Sequence, residues 1–135
     1  FLRVEKNSKN AMLLAKHFAS HNYIEKVLYP GLESHPNHQI AKYQTNGQYG
    51  GMLSIIVNGS EADAIDVVRN CKVFYPATSL GGVESLIEHR KTVSGEDFPV
   101  NEKLVRISVG IEDPLDLIND LEQALEKVFK KKGQD

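Results

Sequence analysis

The sequence predicts an α/β protein of the α+β type, a mainly antiparallel sheet packed with helices. Three observations carry that expectation. Short strand-like runs alternate with amphipathic helical stretches. A helix is expected at each end of the chain. The gaps between strand candidates are of hairpin scale, which favours antiparallel neighbours over the long crossovers that parallel pairs need. With 135 residues the chain is one domain with one core.

The elements follow in order. From Asn10 to Ser20, Ala11, Leu14, Ala15 and Phe18 recur at helical spacing, with Lys16 and His17 off that face. Val27-Leu28-Tyr29 reads as a strand, and Tyr29-Pro30-Gly31-Leu32 as a turn in which proline fixes φ and the following glycine can adopt positive φ. Pro36 opens a short helix through Tyr43. Met52 to Val57 is a nearly continuous apolar run between glycines and reads as a buried strand. Asn58-Gly59 ends it. Ser60 to Asp63 resembles a capping box before a helix with Ala64, Ile65 and Val68 inside. Lys72 to Tyr75 is a strand ending at Pro76, and Lys91 to Glu102 is the most loop-like stretch.

Leu104 to Val109 alternates as a strand, with Val105, Ile107 and Val109 on one face and Leu104, Arg106 and Ser108 on the other. The last helix is the best signalled. Asp113 caps it, Pro114 takes its first position and Asp116 complements its dipole. Leu117, Ile118, Leu121, Leu125 and Val128 line its inner face. Lys130, Lys131 and Lys132 sit at its negative end, before Gly133.

Composition narrows the function classes. An apolar share of 41% with 25% charged residues describes a soluble globular protein. A net charge of -2 gives no global pull toward nucleic acid or an anionic membrane. No apolar run approaches the ~18 residues a membrane helix needs. The single cysteine, Cys71, excludes an internal disulfide framework and fits a reducing compartment such as the cytoplasm. The chain opens at Phe1, and Phe1-Leu2-Arg3-Val4 reads as the inside of an element, so a piece of a longer polypeptide is expected.

Arg106 is the most unusual residue by local logic. A guanidinium inside a good strand must reach water or an anion, and its rigid fork of donors can grip a carboxylate through two parallel bonds. Two uses stand: an exposed edge-strand ion pair with Glu or Asp, or a ligand anchor. Ser79-Leu80-Gly81-Gly82-Val83-Glu84-Ser85 carries paired glycines, which suit either a ligand-bordering loop or an ordinary bend. His17, His21, His35, His38 and His89 show no zinc spacing, and Cys71 reads as a core thiol. Glu61, Asp63 and Asp66 suit a solvated helix face. No glycine-rich phosphate loop is present.

Five blocks then occur in order: Tyr29-Pro30-Gly31-Leu32; Gly50-Gly51-Met52-Leu53-Ser54; Ser79 to Ile87; Leu104 to Asp113; and Asp116 to Leu125. Together they resemble the C-terminal third of the Cys/Met-metabolism enzymes, the family of cystathionine γ-synthase, cystathionine γ-lyase and the O-acyl-homoserine sulfhydrylases. The resemblance implies that residues 1–135 are the small C-terminal domain of a fold-type-I enzyme dependent on pyridoxal phosphate (PLP). It implies a homo-oligomer, usually a tetramer, in which a large domain of the same chain holds most of the PLP contacts. Arg106 falls on the family arginine that binds the substrate α-carboxylate, and Ser79 on the serine beside it. Glu84 and Ser85 match as structural residues. The catalytic lysine belongs to the large domain, so none of the residues here is expected to be catalytic.

Two departures loosen the choice between β- and γ-chemistry. Thr78 stands where many relatives carry Glu, and Glu88-His89-Arg90-Lys91-Thr92-Val93-Ser94 replaces a His-Pro-Ala…Met-Thr-His pattern. The expected function is a C–S lyase or γ-replacement enzyme acting on cystathionine or O-acyl-homoserine. The rival expectation is a stand-alone α/β module that senses an amino acid or mediates assembly.

Overall fold

The computed structural model describes residues 1–78, 82–95, 97 and 99–132, the side chains of Lys131 and Lys132 excepted. Ser79, Leu80, Gly81 and Gly133, all singled out above, lie outside the described residues. The order is α1 (Leu2–Phe18), β1 (Ile24–Leu28), α2 (His38–Thr45), β2 (Met52–Val57), α3 (Glu61–Asn70), β3 (Tyr75–Pro76), β4 (Leu86–His89), α4 (Arg90–Ser94), β5 (Leu104–Ser108) and α5 (Pro114–Lys132). The strands form one sheet in the order β1-β2-β5-β4-β3. All pairs are antiparallel except the short β3–β4 pair.

Helix α1 buries Ala11, Leu14, Ala15 and Phe18, as the period requires. It begins at Leu2, well before Asn10, because its first half buries polar side chains that break the apolar period. Asn10 Nδ2 donates to Gly110 O at 3.0 Å and to Glu112 O at 2.8 Å, and Ser8 Oγ accepts from Gly50 N at 3.1 Å. These bonds tie α1 to the exits of β5 and the entry of β2. Helix α5 lies against α1 and α3, and its Leu117, Leu121, Ala124 and Leu125 complete the core.

Strand β1 ends one residue before Tyr29, whose buried ring leaves the sheet and whose hydroxyl donates to Gly50 O at 2.7 Å. Burial pushes that hydroxyl's pKa well up. In the following turn Leu32 N donates to Tyr29 O at 3.0 Å. Gly31 is needed there for space rather than for positive φ: a Cβ would come within 2.6 Å of Met12 Cε and Tyr29 Cε2. Pro36 stands outside α2, which Asn37 precedes as N-cap.

Strand β2 has the expected ends but is buried on one face only, through Leu53, Ile55 and Val57. The capping box of α3 is complete, with Asp63 N to Ser60 Oγ at 3.2 Å and Ser60 N to Asp63 Oδ2 at 2.8 Å. Asp63 is therefore buried rather than solvated, and Val67 joins Ala64 and Val68 inside while Ile65 is half-buried. The expected strand at Lys72 shrinks to Tyr75–Pro76, because the N–H groups of Lys72, Val73 and Phe74 donate to Asp120 at 2.8, 2.7 and 3.0 Å. Arg90–Ser94 is helical where Lys91 onward reads as loop in the sequence. Asp113 caps α5 as expected, its Oδ1 accepting from Leu115 N at 2.8 Å.

Cys71 is half-buried, and its Sγ donates to Val67 O at 3.4 Å. Burial, helped by the Asp120 charge, pushes its thiol pKa up to about 12. Glu122 joins α5 to the end of α1: Oε1 lies 2.9 Å from His17 Nε2 and Oε2 3.0 Å from His21 Nε2. Burial pushes the Glu122 carboxyl up, but the two imidazoles outweigh it and hold its pKa below the ordinary 4.5. A depressed carboxyl pKa adds stability above the unfolded value, and that stability is lost as pH falls through the folded one. Glu122→Gln should flatten the loss of stability below about pH 4.5, measured by urea unfolding across acid pH. An unaltered pH dependence would show that the two imidazoles do not stabilise the ionised carboxylate.

Candidate functional site

Strand alternation sorts the sheet into two faces. Leu53, Ile107 and Ile87 align across β2, β5 and β4 and are buried beneath the helices. The next row, Leu28, Ser54, Arg106 and Glu88, points to the opposite face. There Met52, Ser54, Ile56, Leu104 and Arg106 are only half-buried. Arg106 shares this face with Ser108, as the alternation requires, but β5 is the central strand. The edge-strand placement of the ion-pair reading is thus wrong, while the ion pair itself exists.

Its partner is Glu88, directly across the β4–β5 pair. Arg106 Nη1 donates to Glu88 Oε1 at 3.2 Å, and Arg90 Nη1 donates to the same oxygen at 3.0 Å. The Glu88 side chain is 5% exposed, and its Oε2 is buried with no hydrogen-bond partner among the described residues. An orphaned buried acceptor of this kind costs about 1–3 kcal/mol. Glu88 is the one hydrogen-bond partner of Arg106 among the described residues. The guanidinium keeps a third of its surface open, and among the described residues its Nε and Nη2 take no partner. Met52, Ala77, Leu86, Glu88, Arg106 and Ser108 line a shallow hollow that encloses no room for a water molecule.

The surroundings hold this arrangement in place. His89 ends β4 with both ring nitrogens engaged: Nε2 donates to Glu102 O at 2.6 Å, and Nδ1 accepts from Thr92 Oγ1 at 2.6 Å and Thr92 N at 3.3 Å. That network assigns the proton to Nε2. It fixes the start of α4 and hence Arg90. At the other end of β5, Ser85 is fully buried; its Oγ donates to Glu112 Oε1 at 2.8 Å and accepts from Gly110 N at 2.8 Å. Ser85 N donates to Glu112 Oε2 at 2.9 Å. Gly110 has no room for a side chain, since a Cβ would meet the backbone of Val83 and Glu84. These motif residues therefore lock the end of β5 to the entry of β4. Glu84 is exposed.

Ser79 lies outside the described residues, so its distance to Arg106 is not part of this geometry. Its neighbour Thr78 is exposed and borders an adjoining hollow of about 290 Å³, which shares Ala77 and Glu88 with the one at Arg106 and reaches Arg69, His89 and Thr92. Glu88 and Arg90 have no role in the sequence reading beyond breaking a pattern. A signal was available: an acid inside Leu86-Ile87-Glu88 falls, by alternation, on one face of a strand, where burial demands a cation. Among the described residues no cluster of His, Cys, Asp and Glu could hold a metal ion, and no helix is long and apolar enough to cross a membrane.

Comparison with known proteins bears on this site. Residues 1–126 match the family described as Cys/Met metabolism PLP-dependent enzyme. Cystathionine gamma-synthase of Mycobacterium tuberculosis is 47% identical over 92% of this chain and 33% of its own length. Cystathionine gamma-lyase of Dictyostelium discoideum is 43% identical over 93% of this chain and 34% of its own. The chain thus spans about a third of the length of the curated relatives it matches. A solved structure described as an O-acetylhomoserine (thiol)-lyase from Campylobacter jejuni, with N'-pyridoxyl-lysine-5'-monophosphate, superposes with a TM-score of 0.82 at 32% identity, covering 93% of this chain and 29% of that one. Both the sequence match and the shared fold extend over nearly the whole chain, and on that ground it belongs to the Cys/Met metabolism PLP-dependent enzyme family.

Proposed function

We propose that residues 1–135 are the substrate-binding C-terminal domain of a PLP-dependent carbon–sulfur lyase or γ-replacement enzyme of sulfur amino-acid metabolism. Its substrates would be cystathionine or an O-acyl-homoserine. The observation that carries the reading is Arg106: a half-exposed guanidinium on a central strand, held by one oxygen of Glu88, with no other partner among the described residues. Such a fork fits the α-carboxylate of an amino acid through two parallel N–H···O bonds. A guanidinium stays protonated, so Arg106 positions the substrate and moves no proton. Ser79 is proposed as a second contact to that carboxylate, from its match to the family serine.

The residues around Arg106 do not fit PLP itself. No lysine lines the hollow, so it offers no amine to the cofactor's aldehyde. The proposal accordingly gives the cofactor mainly to a large domain of the same chain outside these residues, together with the catalytic lysine. Homo-oligomeric assembly and a cytoplasmic setting belong to the same reading, supported by the family.

The test is product analysis of the full-length protein with PLP. L-cystathionine, O-acetyl-homoserine with cysteine, and methionine are supplied separately. Release of cysteine or homocysteine, or formation of cystathionine, is the expected result. Turnover of none of them, with the cofactor bound, overturns the reading. Amino-acid binding without cofactor and without turnover would favour a sensing module instead.

A further inference from the structure

Glu88 is caught between two cations. Both Arg106 Nη1 and Arg90 Nη1 donate to Oε1, at 3.2 and 3.0 Å, while the buried Oε2 takes no partner among the described residues. Glu88 and Arg106 face each other directly across the strand pair. A carboxylate so placed, with an idle oxygen, gains from closing on the opposite guanidinium as a two-bond fork. That closure would need both oxygens on Arg106 and would draw Oε1 away from Arg90. Arg90 does not follow such a movement freely, because it begins α4 next to the His89 ring, which is bonded on both nitrogens.

We propose that Arg90 is a positioning residue for the carboxylate anchor. By claiming Oε1 it limits Glu88 to a single bond on Arg106 Nη1, and it leaves the Nε–Nη2 edge of that guanidinium to the substrate. The proposal rests on the reading of Arg106 as the anchor. Without Arg90, Glu88 becomes an internal competitor that the substrate carboxylate must displace. Binding weakens, while the chemistry after binding is untouched.

The experiment uses the full-length, cofactor-loaded enzyme with L-cystathionine and O-acetyl-homoserine plus cysteine as probes. KM and kcat are measured for Arg90→Ala, Glu88→Gln, the double variant and Arg106→Ala. Arg90→Ala should raise KM about tenfold with kcat within about twofold, the pattern of lost ground-state binding. In the Glu88→Gln background, where no second carboxylate oxygen exists, the same change should move KM by less than about twofold. Arg90→Lys, which keeps a cation on Oε1, should restore most of the affinity. Arg90→Met keeps the alkyl stem and drops the charge, and serves as the check if the alanine variant folds poorly.

An unchanged KM in Arg90→Ala and Arg90→Met overturns the proposal. So does an equal rise with and without the Glu88 carboxylate, since that is a general field effect of a nearby cation. If Arg106→Ala leaves KM unchanged, the anchor reading fails and the role of Arg90 falls with it. Turnover of neither probe by the unaltered enzyme has the same consequence. A rise with Arg106→Ala but none with Arg90→Ala sinks the Arg90 proposal alone.

Discussion

Replacing Arg106 with alanine in the full-length enzyme is expected to raise the KM for the amino-acid substrate by about 100-fold or more, since two charged hydrogen bonds of ~1.5–3 kcal/mol each are lost. Cofactor absorbance should not change, because no lysine lines the hollow around Arg106. Arg106→Lys keeps the charge but not the planar fork and should recover only part of the loss. The fold should survive the alanine change. Arg106 is half-exposed, and Glu88 retains Arg90 as a charged partner. A KM that stays at the unaltered value would remove Arg106 from the substrate site and return it to a purely structural ion pair.

The largest expected loss of stability lies elsewhere, at Asp120. Its carboxylate is 5% exposed and accepts three successive backbone N–H groups, from Lys72, Val73 and Phe74. Gln123 Nε2 adds a fourth bond at 3.0 Å. Asp120→Ala leaves these donors without an acceptor, and the one on the buried Phe74 is cut off from water as well. The cost should be about 3 kcal/mol, against about half of that for Asp120→Asn, which keeps one acceptor oxygen. Urea unfolding of the two variants measures the difference. A loss below about 1 kcal/mol for the alanine variant would mean that the segment finds other partners.

Periodicity carries much of the fold because it records burial directly. Ala11, Leu14, Ala15 and Phe18 in α1, and Leu117, Leu121 and Leu125 in α5, are apolar at helical spacing and are fully buried. The reading failed where polar side chains took over backbone work. Asn7, Ser8 and Asn10 hid the first turns of α1 behind a polar pattern. Asp120, far along the chain, removed the N–H groups that a longer β3 would need. Arg90–Ser94 formed a helix too short to show a period, with His89 as its side-chain cap.

The candidate site divides in the same way. Alternation along Leu104 to Ser108 was enough to put Arg106 opposite the core, and the ordered family blocks were enough to give it a substrate role in expectation. The alternation is a local property of the chain, and the residues alone determine it; the substrate role is a proposal. That β5 is central, that Glu88 is its cross-strand neighbour and that Arg90 claims the same carboxylate oxygen were decided only by the tertiary structure. The physical reason is that register between strands and the direction of a short helix depend on contacts far apart in sequence. A charge inside a strand announces that it needs a partner, but only the assembled sheet shows which partner it has and how much of the guanidinium remains for a ligand.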